Sequence, residues 1–324
     1  MSRRRISLLT RPALSVTVLA LLLLSCTPTG GSGTATSEGT GTDSDTRTVS
    51  TQTRIEPGTG SFVYAGAEKS TGQPIQVYYD APASADLDTA QILIVVHGHG
   101  RDAASYRDSW VPLVEDRNVL VLVPEFPSDE FSDTEYNLGN MVDEDGEERP
   151  EDEWTFAVIE ALFEHVREQV DSKAEDYVMF GHSAGAQFVH RFVQFGSPEH
   201  LRTAVAANAG WYTVPDDSED FPYGLDGIAV DEEDLEGAFS TDMVVMLGAD
   251  DIDPESESLR HDEQSDEQGD NRLERGLHYY REARMVADDH DLPFVWRLEV
   301  APGIGHSQSD MARVAAPVLL GPPS

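Results

Sequence analysis

The stretch Gly181-His182-Ser183-Ala184-Gly185 is built for nucleophilic chemistry. It lies between an apolar run, Tyr177-Val178-Met179-Phe180, and a segment with helical spacing that reaches Phe195. A strand that turns into a helix this sharply needs tiny residues two before and two after the tip. The side chain at the tip, here a serine hydroxyl, then projects from the sheet. The helix N-terminus behind it offers free N–H groups and a partial positive charge. A coincidental glycine turn is the bland alternative, and the strand–turn–helix context argues against it. A serine hydroxyl alone is a poor nucleophile and needs a base. Among ten histidines, His306 has a distinctive setting: Pro302-Gly303-Ile304-Gly305-His306-Ser307 follows the last strand-like run and precedes the closing helix. His261, His278 and His290 sit in acidic or helical surroundings and read as surface residues. Three acids crowd Gly248-Ala249-Asp250-Asp251-Ile252-Asp253-Pro254, a pattern that fits an orienting carboxylate, a calcium loop or a solvated turn.

Two further stretches sit where chemistry could use them. His97-Gly98-His99-Gly100 follows the apolar run Gln91 to Val96. Its paired histidines invite a metal reading, but no third ligand lies nearby, so neither metal nor cofactor is expected. His97 reads as a brace for the loop. Asn208-Ala209-Gly210-Trp211-Tyr212 follows another apolar run, and Trp211 and Tyr212 read as a substrate-pocket wall or as core aromatics beneath a loop.

The elements that position these residues alternate along the chain. Phe62 to Tyr64 and Ile75 to Tyr79 read as a hairpin. Gln91 to Val96 and Val119 to Val123 are near-continuous apolar runs, as expected of strands covered on both faces. Helical spacing covers Ala103 to Asp116, Glu153 to Val170, Gly276 to Ala287 and Asp310 to Leu320; further strands are expected at 203–207, 243–247 and 294–300. This alternation predicts an α/β fold with a mostly parallel central sheet flanked by helices. Two acidic stretches, Phe126 to Pro150 and Pro215 to Phe239, break the pattern and read as active-site walls or lids, or as acidic insertions.

With these motifs in place, the sequence from about residue 60 to 320 resembles the α/β-hydrolase family, in particular secreted bacterial esterases of the polyhydroxybutyrate depolymerase and feruloyl esterase kind. The stretch Gln268-Gly269-Asp270-Asn271-Arg272-Leu273-Glu274-Arg275-Gly276 adds to that likeness. The resemblance implies Ser183 as nucleophile and His306 as general base. It implies Asp251 as the acid that orients the imidazole, with Asp250 and Asp253 as alternatives, and oxyanion-hole donors at the Ala184 and His99 amides. Members of those groups often carry disulfides, which a chain with one cysteine cannot form. The expected function is hydrolysis of a small or polymeric carboxylic ester through an acyl-enzyme. The alternatives are a serine peptidase of the same fold and a non-catalytic surface binding module.

Charge and the N-terminal segments bound the setting. Sixty acidic residues face 22 basic ones, for a net charge of −38, and Lys69 and Lys173 are the only lysines. Such a field repels nucleic acid and anionic membrane surfaces. It reads as a solvated shell rather than an acidic recognition surface, and resembles adaptation to high salt, where screening removes self-repulsion. Residues 1–25 read as a lipoprotein signal peptide: Arg3, Arg4 and Arg5, then the apolar Leu14 to Leu24, then Leu23-Leu24-Ser25-Cys26, a lipobox-like end. An ordinary signal peptide is the alternative, and Ser2 to Ile6 loosely matches a twin-arginine export signal. Cys26, the single cysteine, is the expected lipidation site and the sole membrane attachment. Residues 26–55 are rich in Thr, Ser and Gly, too polar to offset their ordering entropy, and form a tether of roughly 30 Å. Residues 56–324 form the catalytic domain. The protein is expected to be exported and held at a bacterial membrane, on the periplasmic face or cell surface.

Overall fold

The computed structural model describes residues 54–322; the expected signal segment, Cys26 and nearly all of the tether lie outside the described residues. Along the chain run β1 (Gly58–Tyr64), α1 (Glu68–Thr71), β2 (Ile75–Ala81), β3 (Gln91–Val96), α2 (Ala103–Val114) and β4 (Val119–Pro124). Then come α3 (Asp133–Tyr136), α4 (Ala157–Gln169), β5 (Tyr177–His182), α5 (Ala184–Phe195) and β6 (Leu201–Ala207). The last part holds α6 (Glu232–Ser240), β7 (Met243–Gly248), α7 (Glu263–Glu267), α8 (Arg272–Asp289), β8 (Arg297–Ala301) and α9 (Gln308–Leu320).

The strands form one sheet in the order β1-β2-β4-β3-β5-β6-β7-β8. β1 and β2 pair antiparallel as the expected hairpin, and β2 is antiparallel to β4. From β4 to β8 every neighbouring pair is parallel. The apolar runs follow from this burial. Ile92, Ile94 and Val96 face one core layer, with Val158, Leu162, Phe188 and Tyr279. Leu93 and Val95 face the other, with Trp110, Val114, Met311 and Ala315. Strands covered on both sides need apolar residues at successive positions. The strand order changes direction around β3, which has β4 on one side and β5 on the other. In open α/β sheets the crevice at the carboxyl ends of such strands is where ligands sit.

Several boundaries differ from expectation, each for a local reason. α4 starts at Ala157 rather than Glu153, because residues 151–153 form a 3-10 turn after Pro150 and Trp154 is extended. β8 starts at Arg297, because Phe294 and Trp296 turn into an aromatic cluster with Phe239, at 5.5 and 5.2 Å between ring centroids. α8 starts four residues early, where the Asn271 side chain caps it by accepting from Glu274 N–H at 3.0 Å. The two acidic stretches are not featureless: α3 and α6 lie in them, each with a capping box, from Ser132 and Asp231 respectively.

Candidate active site

The turn between β5 and α5 is as sharp as its glycines suggest. Ser183 adopts φ 59° and ψ −119°, a conformation that residues bearing a Cβ rarely take. Its N–H is held by the Ala207 carbonyl of β6 at 3.0 Å, and its carbonyl accepts from Ala186 and Gln187 of α5. A Cβ at Gly181 would strike the Gly185 carbonyl, and one at Gly185 would strike Val96 of β3. The spacing therefore seats the helix directly against two strands. Gly98 brings the loop after β3 up to the same point: a Cβ there would lie 3.5 Å from that of Ser183 and would collide with the Tyr106 hydroxyl.

The loops after β7 and β8 close the site. His306 Nε2 stands 3.1 Å from Ser183 Oγ, and His306 Nδ1 stands 2.7 Å from Asp251 Oδ2. An Nδ1–H donated to the carboxylate leaves the Nε2 lone pair facing the hydroxyl, the arrangement that can take its proton. Asp251, only 4% exposed, is the member of the acidic trio that meets His306. Asn208, at the end of β6 with φ 52°, holds both loops in place. Its Oδ1 accepts the Gly248 N–H at 2.7 Å, and its Nδ2 donates to the Gly305 carbonyl at 3.1 Å. Backbone bonds from Ala249 to Ala301 and from Asp250 to Ile304 add to this fastening.

Two buried histidines support the site without facing the serine. His97 takes the Phe126 N–H on Nε2 and stacks on Tyr136 at 4.8 Å, bracing its loop as expected. Burial pushes its pKa down to about 3, so it is neutral. His182 meets the Tyr106 hydroxyl through Nδ1 at 3.1 Å, and its ring lies 4.6 Å from that of His306. Burial, then the proximity of His306 and Arg272, holds its pKa well below the usual histidine value.

A cleft of about 290 Å³ opens beside Ser183, and Ala184, His99 and Trp211 line it. Ala184 is the first residue of α5, where N–H groups lack helical acceptors. Tyr212 corrects the expectation of an aromatic pair at the pocket. Its ring is fully buried and stacked on Tyr279 at 4.5 Å, because α8 covers the far side of the loop. Asp133 and Asn137 come from the first acidic stretch, which thus forms a wall, one of the two readings its sequence allowed; Ser258 and Arg260, from the loop after Asp253, were not foreseen. The second acidic stretch contributes indirectly, through Tyr223, whose ring packs 4.9 Å from that of Trp211.

No protein-family model matches the sequence, and no curated protein matches it. Solved structures do. Poly(aspartic acid) hydrolase-1 from Sphingomonas sp. KT-1 is 40% identical with a TM-score of 0.78, over 82% of this chain and 99% of its own. LpqC, a poly(3-hydroxybutyrate) depolymerase from Bordetella parapertussis, is 32% identical with a TM-score of 0.76, over 82% of this chain and 90% of its own. The fluorophosphonate-binding serine hydrolase FphF of Staphylococcus aureus shares the fold at 14% identity and a TM-score of 0.52, over 82% of this chain and 98% of its own. An eight-stranded, mostly parallel sheet among the described residues, with a sharp Gly-x-Ser-x-Gly turn after β5, joined to this degree of identity, places the chain in the α/β-hydrolase family.

Proposed function

We propose that this hydrolase cleaves carboxylic esters through a serine mechanism with Ser183, His306 and Asp251 as its triad. The observation that carries the reading is the continuous hydrogen-bonded line from Ser183 Oγ through the His306 ring to Asp251. His306 Nε2 takes the hydroxyl proton as Ser183 Oγ attacks the ester carbonyl. Asp251 stabilises the imidazolium and fixes its tautomer. The Ala184 and His99 amides receive the oxyanion, each donor being worth roughly 3–4 kcal/mol in such sites. His306 then hands the proton to the leaving alkoxide, and water, deprotonated by the same imidazole, releases the acid and restores Ser183. No metal or organic cofactor enters these steps.

Hydrolysis of an amide polymer is the second reading. It is favoured by the 40% identical relative, named for poly(aspartic acid), whose backbone bonds are amides. A chain-length series of chromogenic acyl esters, run beside poly(aspartic acid) with residues 56–324, separates the two. Ester turnover that falls on the order of 10⁴-fold in Ser183→Ala supports the serine mechanism. An Ala variant with undiminished turnover refutes it. Cleavage of the polymer alone moves the substrate to amides.

We also propose that Cys26 carries lipid and holds the exported domain at a bacterial membrane, a reading supported by the lipobox-like sequence around the chain's one cysteine. In a lipidating bacterial host, the full chain is expected in the membrane fraction and its Cys26→Ser variant in the soluble one. Equal partition of the two refutes the anchor.

A further inference from the structure

We propose that Arg272 is a positioning residue for the reaction, locking the Asp251 carboxylate by the oxygen that His306 leaves free. The proposal rests on the triad reading above. Asp251 uses Oδ2 for His306 at 2.7 Å, while its Oδ1 lies 3.5 Å from Arg272 Nη1. Both partners are buried, Arg272 at 1% and Asp251 at 4% exposure. With each carboxylate oxygen assigned to a different cation or donor, rotation about the side chain is blocked and Oδ2 stays aimed at Nδ1.

The guanidinium is itself fixed by two serines. Nη1 donates to Ser256 Oγ at 3.2 Å and Nη2 to Ser258 Oγ at 2.9 Å. The next residue ties the backbone as well, with Leu273 N–H donating to the Asp251 carbonyl at 3.2 Å. Ser258 lines the substrate cleft. One side chain at the start of α8 thus joins the acid of the triad to the wall of the pocket. A buried carboxylate needs a partner at each oxygen, and Arg272 supplies a cationic one for Oδ1. The same charge lies one carboxylate away from the His306 ring, so its removal is read in the pH profile of the reaction. The other ionisable groups around the pair are His182 from β5, Tyr212 from the loop after β6, Asp253 on the acid's own loop and Arg275, one turn along α8.

The test uses Arg272→Met, which keeps volume and removes charge, and Arg272→Lys, which keeps charge and loses the fork. Both are assayed on the best ester across pH, beside Ser183→Ala, with folding checked by a cooperative thermal transition. For Arg272→Met, kcat is expected to fall on the order of 10²-fold with KM little changed. The acid limb of its kcat/KM profile is expected to move to higher pH. Arg272→Lys is expected to keep the limb where it is and to recover part of kcat. If the Met variant does not fold, the Lys variant decides: wild-type kcat there overturns the role of the fork. Folded variants with wild-type rates and profiles overturn the proposal. So does a uniform loss of rate with no movement of the limb and no recovery by lysine, which marks a structural role alone. Activity retained in Ser183→Ala would instead overturn the triad reading on which this one stands.

Discussion

Ser183 pays for its exposure at the tip of β5 with its backbone. At φ 59° and ψ −119° it occupies a region that costs about 1–3 kcal/mol for a residue with a Cβ. Ser183→Gly removes the proposed nucleophile and the strain together. Set against glycine's extra unfolded-state freedom, roughly 0.5–1 kcal/mol, the variant is expected to gain about 1 kcal/mol of stability in chemical denaturation while losing the proposed ester turnover. Stability equal to or below that of the parent would show that the turn is relaxed. At this scale the sequence was legible where one residue type is forced by sterics, as at Gly181 and Gly185 on either side of Ser183. It was less legible among Asp250, Asp251 and Asp253. Which carboxylate meets His306 depends on Asn208 and the backbone bonds that register the β7 loop against the β8 loop, contacts between segments far apart in sequence. Tyr212 misled for a similar reason. Its neighbour Trp211 reaches the cleft, but α8, from more than 60 residues later, covers Tyr212.

The central strands were readable because burial on both faces leaves them no polar alternation; β3, β4, β5, β6 and β7 lie where their apolar runs lie. The ends of elements were not, since caps and aromatic clusters decide them. Asn271 starts α8 before its apolar pattern begins, and the Phe239–Phe294–Trp296 cluster draws the approach to β8 out of the sheet. The acidic stretches hid their roles because a wall of a polar cleft and a solvated loop have the same composition. Only folding shows that Asp133 and Asn137 face the cleft beside Ser183, with Asp133 held by the buried Arg101 at 2.9 Å.

Over the whole molecule the charge is divided unequally. Arg191, Arg272 and Arg275 are buried, so part of the small basic complement is spent inside, where salt screens weakly. Asp80, Glu125 and Asp251 are buried as well, so the exposed shell keeps nearly the whole net negative charge. Screening that shell is expected to raise stability by about 2–3 kcal/mol between low and molar salt, or roughly 5–10 °C in Tm. A melting temperature flat across that range would remove self-repulsion as a factor. The net charge was plain from composition, but its partition was not, because arginine reads as a surface residue until a fold places it beside Asp251 or beneath Trp211.

The tie between Arg272 and the cleft wall has an evolutionary consequence. The two walls are not equally free to diverge. Ser256 and Ser258 are bonded to the arginine that holds Asp251, so a change of length there disturbs the reaction geometry along with the pocket. The opposite wall is fastened elsewhere: Asp133 to Arg101, and Asn137 to Gln187 and Arg191. Insertions at the turn between Val142 and Glu148, beyond the contacts that Phe126 and Tyr136 make with His97, can therefore accumulate under relaxed selection. A lineage built on this frame would drift in what it admits from that side first, while its chemistry stayed put.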